Sequence, residues 1–262
     1  MLRCGAALIG LLLPGIAQAQ APVSLHATYQ TYAAGLELMD VETALTSTHA
    51  DYQASLQVRT TGMVGFFLHG HQSSTVRGQW RGIEAIPSRF VGQGSWSGTD
   101  RLVDIAYDHG QPSVRQLVPP NEDEREPVPP SLQTNTIDTL SALMQLVRVV
   151  ADTGRCDTTV RTYDGRRAIA LEARTSGQET LPPTGRSSFA GQALRCDFSG
   201  RMLAGFRFAE DRARASQPMH GSAWLAPVTA GGEKLPVRIT FQTRWFGDAT
   251  MYLTAADTTP VE

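Results

Sequence analysis

The sequence predicts a mainly β fold in which long antiparallel strands form a curved sheet or partly closed barrel around or against one central α-helix. Three observations carry that prediction. Apolar and polar residues alternate in runs broken by glycine, the period of half-buried antiparallel strands. The runs average about ten residues, long for a compact sandwich and suited to a strongly curved sheet. One segment, residues 137–151, repeats at the helical period instead, with an apolar stripe broader than a single sheet face needs.

The first residues bear on location rather than fold. Arg3 opens a short apolar run, Ala6 to Ile16, and Ala17-Gln18-Ala19 forms the small-x-small exit of a secretory signal. Cleavage is therefore expected after Ala19, leaving a periplasmic chain that begins at Gln20. The run is too short to span a bilayer, and Cys4 precedes it, whereas a lipoprotein's acylated cysteine follows such a run. Residues 20–262 then suffice for a single β-rich domain with a real core. No transmembrane helix is expected in the mature chain. A membrane-spanning barrel is disfavoured, because charged residues fall on both parities of several strands.

The net charge of -2 leaves no basic face for nucleic acid or anionic lipid. Lys234 is the sole lysine, and the arginines are scattered among acidic residues rather than clustered.

In order along the chain, Val23, Leu25, Ala27 and Tyr29 share one parity, and Gly35 interrupts before Leu36 to Leu45. Tyr52, Leu56 and Val58 share a parity ahead of Thr60-Thr61-Gly62, and 64–68 is a more continuous apolar run. After Pro87, Phe90 to Trp96 and Leu102 to Tyr107 are strand-like, making the first half a meander. Residues 119–130 read Pro-Pro-Asn-Glu-Asp-Glu-Arg-Glu-Pro-Val-Pro-Pro, an exposed extended loop with few ladder donors and little apolar surface. Its acids, Glu122, Asp123, Glu124 and Glu126, lack the alternating donor spacing of a calcium loop.

The core helix follows over 137–151. Ile137, Leu140, Met144 and Val147 recur at helical spacing, with Leu143, Leu146 and Val150 alongside. Thr136 is the expected cap, Asp138 and Arg148 suit the dipole at either end, and Gly154 suits a left-handed stop. A stripe this broad suits a helix inside a curved sheet. Its polar face lacks the basic residues of an interfacial helix.

Strands then return. Asp164-Gly165 between 159–163 and 166–171 suits a two-residue type I′ hairpin, and Ala193 to Phe198 and Met202 to Phe208 are expected to pair around Ser199-Gly200. Ala223 to Val228 is separated by Ala230-Gly231-Gly232 from Leu235 to Trp245, which alternates strictly, and Gly247-Asp248 turns into Met251 to Leu253. No repeat of fixed period is present.

After signal removal two cysteines remain, Cys156 and Cys196. In an oxidising compartment a single structural disulfide between them is the natural pairing, closing a loop of about 41 residues. No C-x-x-C or adjacent histidine supports zinc or redox chemistry.

Several pieces together resemble the bacterial exported family of domain of unknown function 3108. They are the acidic proline loop running into Thr136-Ile137-Asp138-Thr139-Leu140-Ser141-Ala142-Leu143, with Thr139 where the family pattern has proline, and Tyr163-Asp164-Gly165-Arg166-Arg167. Trp224-Leu225 followed by Leu235-Pro236-Val237-Arg238, and Gly82-Ile83 followed by Ile86-Pro87, complete the match, and the two cysteines sit where related members carry them. The resemblance implies an exported β-rich domain without assigned activity. It brings no catalytic residues.

The residues themselves offer no catalytic, cofactor or metal set. His69 and His71 share a strand parity, with His49 and His109 as spatial candidates, yet no third ligand is close in sequence. Gly94-Ser95-Trp96-Ser97-Gly98 lacks the spacing of a nucleophile elbow and reads as a turn. Asp100 and Asp104 share a side and form a carboxylate pair capable of acid–base work, but solvent-facing strand positions account for them. Trp80, Trp96, Trp224 and Trp245 are dispersed and suit core packing rather than a sugar cleft. The leading expectation is a binding or carrier module holding an apolar or amphipathic, lipid-like envelope molecule within the curved sheet. The alternatives are an assembly factor meeting another envelope protein through a sheet edge or the acidic loop, and an exported hydrolase.

Overall fold

The structure, a computed structural model, describes residues 23–62, 65, 69–230, 232–243 and 247–260. The signal segment and its cleavage after Ala19, the apolar run 64–68 apart from Gly65, and Gly231 and Trp245 lie outside the described residues.

Thirteen strands are described. The first half contributes β1 Val23–Ala33, β2 Leu36–Ser47, β3 Asp51–Thr60, β4 Gly70–Arg81, β5 Glu84–Trp96, β6 Thr99–Asp108 and β7 Gln111–Val118. The second contributes β8 Thr158–Tyr163, β9 Ala168–Leu181, β10 Gly191–Ala204, β11 Met219–Pro227, β12 Lys234–Gln242 and β13 Asp248–Pro260. Between and among them lie α1 Pro130–Gln133, α2 Thr139–Thr153 and α3 Arg212–Ala215. Each half is an antiparallel meander, and pairing of β1 with β13 joins the two into one sheet, ordered β7-β6-β5-β4-β3-β2-β1-β13-β12-β11-β10-β9-β8. The result is a nearly closed antiparallel barrel whose ends, β7 and β8, do not pair with each other.

Tight turns and bulges set this curvature. Ala34-Gly35, Ser97-Gly98 and His109-Gly110 each place two consecutive residues at positive φ, the type I′ geometry whose twist matches paired strands. Register shifts at Thr28/Tyr29, Arg77/Gly78, Asp104/Ile105, Arg195/Cys196 and Trp224/Leu225 bend the strands and tighten their coiling. Pro87 lies inside β5 opposite Gly78, at the bulge, where its missing N–H breaks no regular ladder bond.

The helix occupies the concave side. It packs against β3, β4 and β5 of the first half and β8 and β12 of the second. Leu140 and Met144 enter the main cluster with Leu25, Val41, Tyr52, Val76, Phe90 and Ile105, while Val150 joins Leu194, Ala223 and Leu225 in a second. Burying each such side chain contributes roughly 1.5–3 kcal/mol. The helix starts two residues later than the expected Ile137, because Asp138, not Thr136, caps it: its carboxylate accepts from Ser141 N at 2.9 Å. Gly154 ends it in the left-handed conformation, φ 68°.

Three further expectations are corrected. Ser199-Gly200 is no turn: β10 runs unbroken through it, and Gly200 is an in-strand glycine with Leu171 pressed over its α-carbon. Asp164-Gly165 is not a two-residue turn either. The loop is 164–167, and Asp164 closes it by accepting from the backbone N–H groups of Arg166 and Arg167, at 2.9 and 2.7 Å. The acidic loop is not wholly solvated. Arg125 and Val128 are buried, Glu124 makes a two-pronged ion pair with Arg101 at 2.6 and 2.9 Å, and Glu126 N donates to Phe206 O at 2.9 Å. Charge that reads as solvated in sequence is here spent on docking the segment beside β10.

Candidate functional site

The seam between β7 and β8 is the one place where the wall of the barrel is not a strand ladder among the described residues. The chain from β7 to α2 crosses it. Asn135 N donates to Gly110 O at 2.9 Å on the β6–β7 turn, Ile137 N donates to Arg161 O at 3.1 Å, and Tyr163 N donates to Ile137 O at 2.9 Å on β8. Arg166 reaches across from the β8–β9 loop and donates through Nη2 to the carbonyls of Val118 and Pro119, at 2.7 and 2.8 Å. Beneath, Gln145 of α2 accepts from Ala85 N at 2.9 Å and donates to Thr158 Oγ1 at 3.3 Å.

Above that bridge the seam leaves an open cleft of about 540 Å³. Arg81, Glu84, Ala85, Ile86 and Pro87 form one wall, Thr159, Val160 and Arg161 the other, and Gly110, Thr136, Ile137 and Gln145 also line it. Its lining is more apolar than polar, and the charged groups are Arg81, Glu84 and Arg161. Arg81 and Glu84 pair with each other at 3.1 Å. The volume lies within the roughly 300–1,000 Å³ of small-molecule sites. On the concave side, α2 and the main cluster pack together.

Behind the cleft lies a buried polar chain. Tyr52 OH and Ser141 Oγ are 2.7 Å apart, and Ser141 Oγ donates to Asp138 Oδ2 at 2.6 Å. Burial pushes the Asp138 carboxyl upward, with the hydrogen bonds from Ser141 and the backbone opposing it. Desolvation likewise raises the hydroxyls of Tyr52 and Tyr107, and the buried Tyr107 hydroxyl has no hydrogen-bond partner among the described residues. Sealed among core residues, these groups act as helix cap and internal fastening.

The residues singled out from sequence do not converge. Asp104 is bound in both prongs by Arg89, at 3.1 and 2.8 Å, which lowers its pKa and removes it as a proton donor near neutrality. Asp100 stands near the start of β6 opposite Ser95, four residues before Asp104 in mid-strand. Ser97 and Gly98 form the β5–β6 turn. His71 is on β4 opposite Arg59, His69 just precedes that strand, and His49 and His109 occupy two different turns. No group of three or more histidine, cysteine or acidic side chains suited to a metal occurs among the described residues. Trp224 is buried between Arg195 and Arg238, its Nε1 donating to Glu179 at 2.9 Å. Cys156 and Cys196 are bonded, with Cα atoms 5.8 Å apart. No described helix is long and apolar enough to cross a membrane.

Sequence reasoning missed the cleft residues because they come from five separate segments. Gln145 alone carried a local signal, a polar residue next to Met144 on the buried stripe.

The family model described as "Protein of unknown function (DUF3108)" matches residues 27–254. No curated protein matches the sequence. Among solved structures, the chain is similar to a beta-barrel-like protein of domain of unknown function DUF1849 from Brucella abortus, at 13% identity and a TM-score of 0.53. That match covers 92% of this chain and 99% of the other, and it shows a shared fold. A domain from Vibrio parahaemolyticus described as a "putative outer membrane lipoprotein-sorting protein domain" superposes at a TM-score of only 0.25, with 8% identity over 91% of this chain and 87% of that one.

Proposed function

We propose that this chain, which belongs to the DUF3108 family of proteins of unknown function, is an exported periplasmic binding or carrier module for an apolar or amphipathic molecule of the cell envelope. The observation that supports this reading is the seam cleft: a preformed concavity with an apolar lining and charged groups among its walls. Apolar parts of a ligand lose water against Ile86, Pro87, Ile137 and Val160, while polar parts stay in reach of Arg81, Glu84 and Arg161. An open cleft rather than a sealed cavity suits a molecule that is taken up and handed on. The test is native and denaturing mass spectrometry of mature protein purified from the periplasm without detergent. A lipid-like adduct that disappears in Ile86→Asp is the expected result. A protein that arrives empty and takes up no amphiphile on titration overturns the reading.

A second reading, an assembly factor, has one observation in its favour. The outer edge of β7 has no backbone partner among the described residues, and Val114 and Val118 on that strand are exposed. Such an edge can accept a strand from another protein. Crosslinking in intact envelope from a probe at Ser113 tests it: a stoichiometric partner supports it, and none removes it.

A further inference from the structure

We infer that the cleft takes a single-chain amphiphile with an anionic head, a carboxylate or phosphate, received by Arg161, with its chain along Ile86, Pro87, Ile137 and Val160. This rests on the binding reading above and names the charge and size of the ligand.

The charge follows from which cleft groups are already satisfied. Glu84 neutralises Arg81, its Oε2 accepting from both Nε and Nη2, at 3.3 and 3.1 Å. Arg161 has no carboxylate within ion-pair distance among the described residues. Its side chain makes one hydrogen bond there, Nη2 to Thr134 O at 3.2 Å. A guanidinium carries five N–H donors in a planar fork, so most of Arg161's donors remain for an oxyanion, which it can receive through two parallel bonds. The cleft therefore carries one excess positive charge, and it sits on Arg161.

Position strengthens the charge. Arg161 is half-buried, as are its neighbour Val160 and, across the bridge, Ile137. An ion pair beside apolar walls is screened less than one on open surface. Arg161 O also holds Ile137 N at 3.1 Å, so the arginine's backbone is fixed and little ordering is needed on binding.

Size follows from volume. A methylene fills on the order of 30 Å³, about the share of one liquid water. A cleft of about 540 Å³ thus holds one chain of a dozen or so carbons with its head, not two long chains.

The test is calorimetric titration of the mature protein with laurate, dodecyl phosphate, neutral dodecyl maltoside and cationic dodecyltrimethylammonium, each below its micelle concentration. Both anions are expected to bind at least tenfold more tightly than the neutral detergent, and the tighter of the two names the head. Arg161→Gln should erase that advantage, bringing anion affinity down to that of the neutral detergent measured on the same variant. Arg161→Lys keeps the charge without the fork and should retain part of the anion preference, which separates lost charge from lost fold. Equal affinity for anionic and neutral amphiphiles, or an Arg161→Gln variant that binds anions as the parent does, overturns the anionic head and leaves the carrier reading standing. Failure of all four to bind overturns both.

Discussion

Gln145 and Ala85 join the interior helix to the wall of the barrel: the side-chain carbonyl of Gln145 accepts a 2.9 Å hydrogen bond from the backbone N–H of Ala85. Ala85 stands near the start of β5, and the same Gln145 donates to Thr158 on β8, so one side chain ties both sides of the seam. A strand ladder would do this with many backbone bonds. Here one amide shares that work with Arg166 and the chain through Ile137, and the cleft above is the space the missing ladder leaves.

Gln145→Leu keeps the volume and helix propensity but strands the Ala85 N–H in a buried place. Leaving such a donor unpaired costs about 1–3 kcal/mol. Urea denaturation should show a loss of that size, and amide exchange at Ala85 should accelerate ahead of the rest of β5. A variant as stable as the parent would mean that the bond does not tie the seam.

Asp138 gives stability an unusual pH dependence. Its folded-state pKa is raised, so the folded protein keeps this proton to higher pH than the unfolded chain does, and stability falls as pH rises from about 3.9 through the folded pKa. Asp138→Asn retains a cap acceptor and cannot ionise. The variant should therefore gain on the parent as pH rises through that window, and the two should converge in acid. Asp197 runs the other way. Desolvation alone would raise it, but hydrogen bonds from Ser176, Ser222 and Arg195 hold it at about 2, so its contribution is lost as pH falls toward that value. Asp138→Asn leaves this limb unchanged. A difference between variant and parent that stays constant across pH would refute the Asp138 assignment.

The disulfide fastens the end of α2 to β10, because Cys156 follows the Gly154 cap by two residues. Both cysteines are fully buried. Cys156→Ser should expose one free thiol on unfolding and lower stability by about 2–4 kcal/mol, seen as a fall in Tm. Two thiols in the unreduced, unfolded parent would end the claim.

What the sequence made legible was local or periodic. Leu25, Ala27 and Tyr29 repeat at period two, Leu140 and Met144 at the helical period, and Gly154 ends the helix where it stands in sequence. Missed features depended on contacts distant in the chain. β4 reads as polar, Gly-His-Gln-Ser-Ser-Thr-Val-Arg, because only one of its faces is buried, and by small residues such as Ser74 and Val76. Gly200 looks like a turn residue until Leu171 is found against it. Glu124 looks solvated until Arg101, 23 positions away, closes on it. The cleft was invisible for the same reason: Ile86, Ile137, Gln145 and Arg161 share no local pattern.

Closure of the barrel also depends on a glycine contact. Gly165, at the tip of the β8–β9 loop, presses against β6 and β7: a Cβ there would lie 2.9 Å from Val103 Cγ2 and 3.4 Å from Leu117 Cδ1. Its φ of +83° is also one that side chains disfavour. Gly165→Ala therefore meets two separate penalties, backbone strain of roughly 1–2 kcal/mol and a steric overlap with Val103. Trimming the neighbour distinguishes them, since Val103→Ala relieves the overlap and does nothing for φ. In a double-mutant cycle the two substitutions should be less harmful together than the sum of their separate effects, by about 0.5–3 kcal/mol. Strict additivity would place the tip away from β6 and leave the seam held by Arg166, Gln145 and the chain through Ile137 alone.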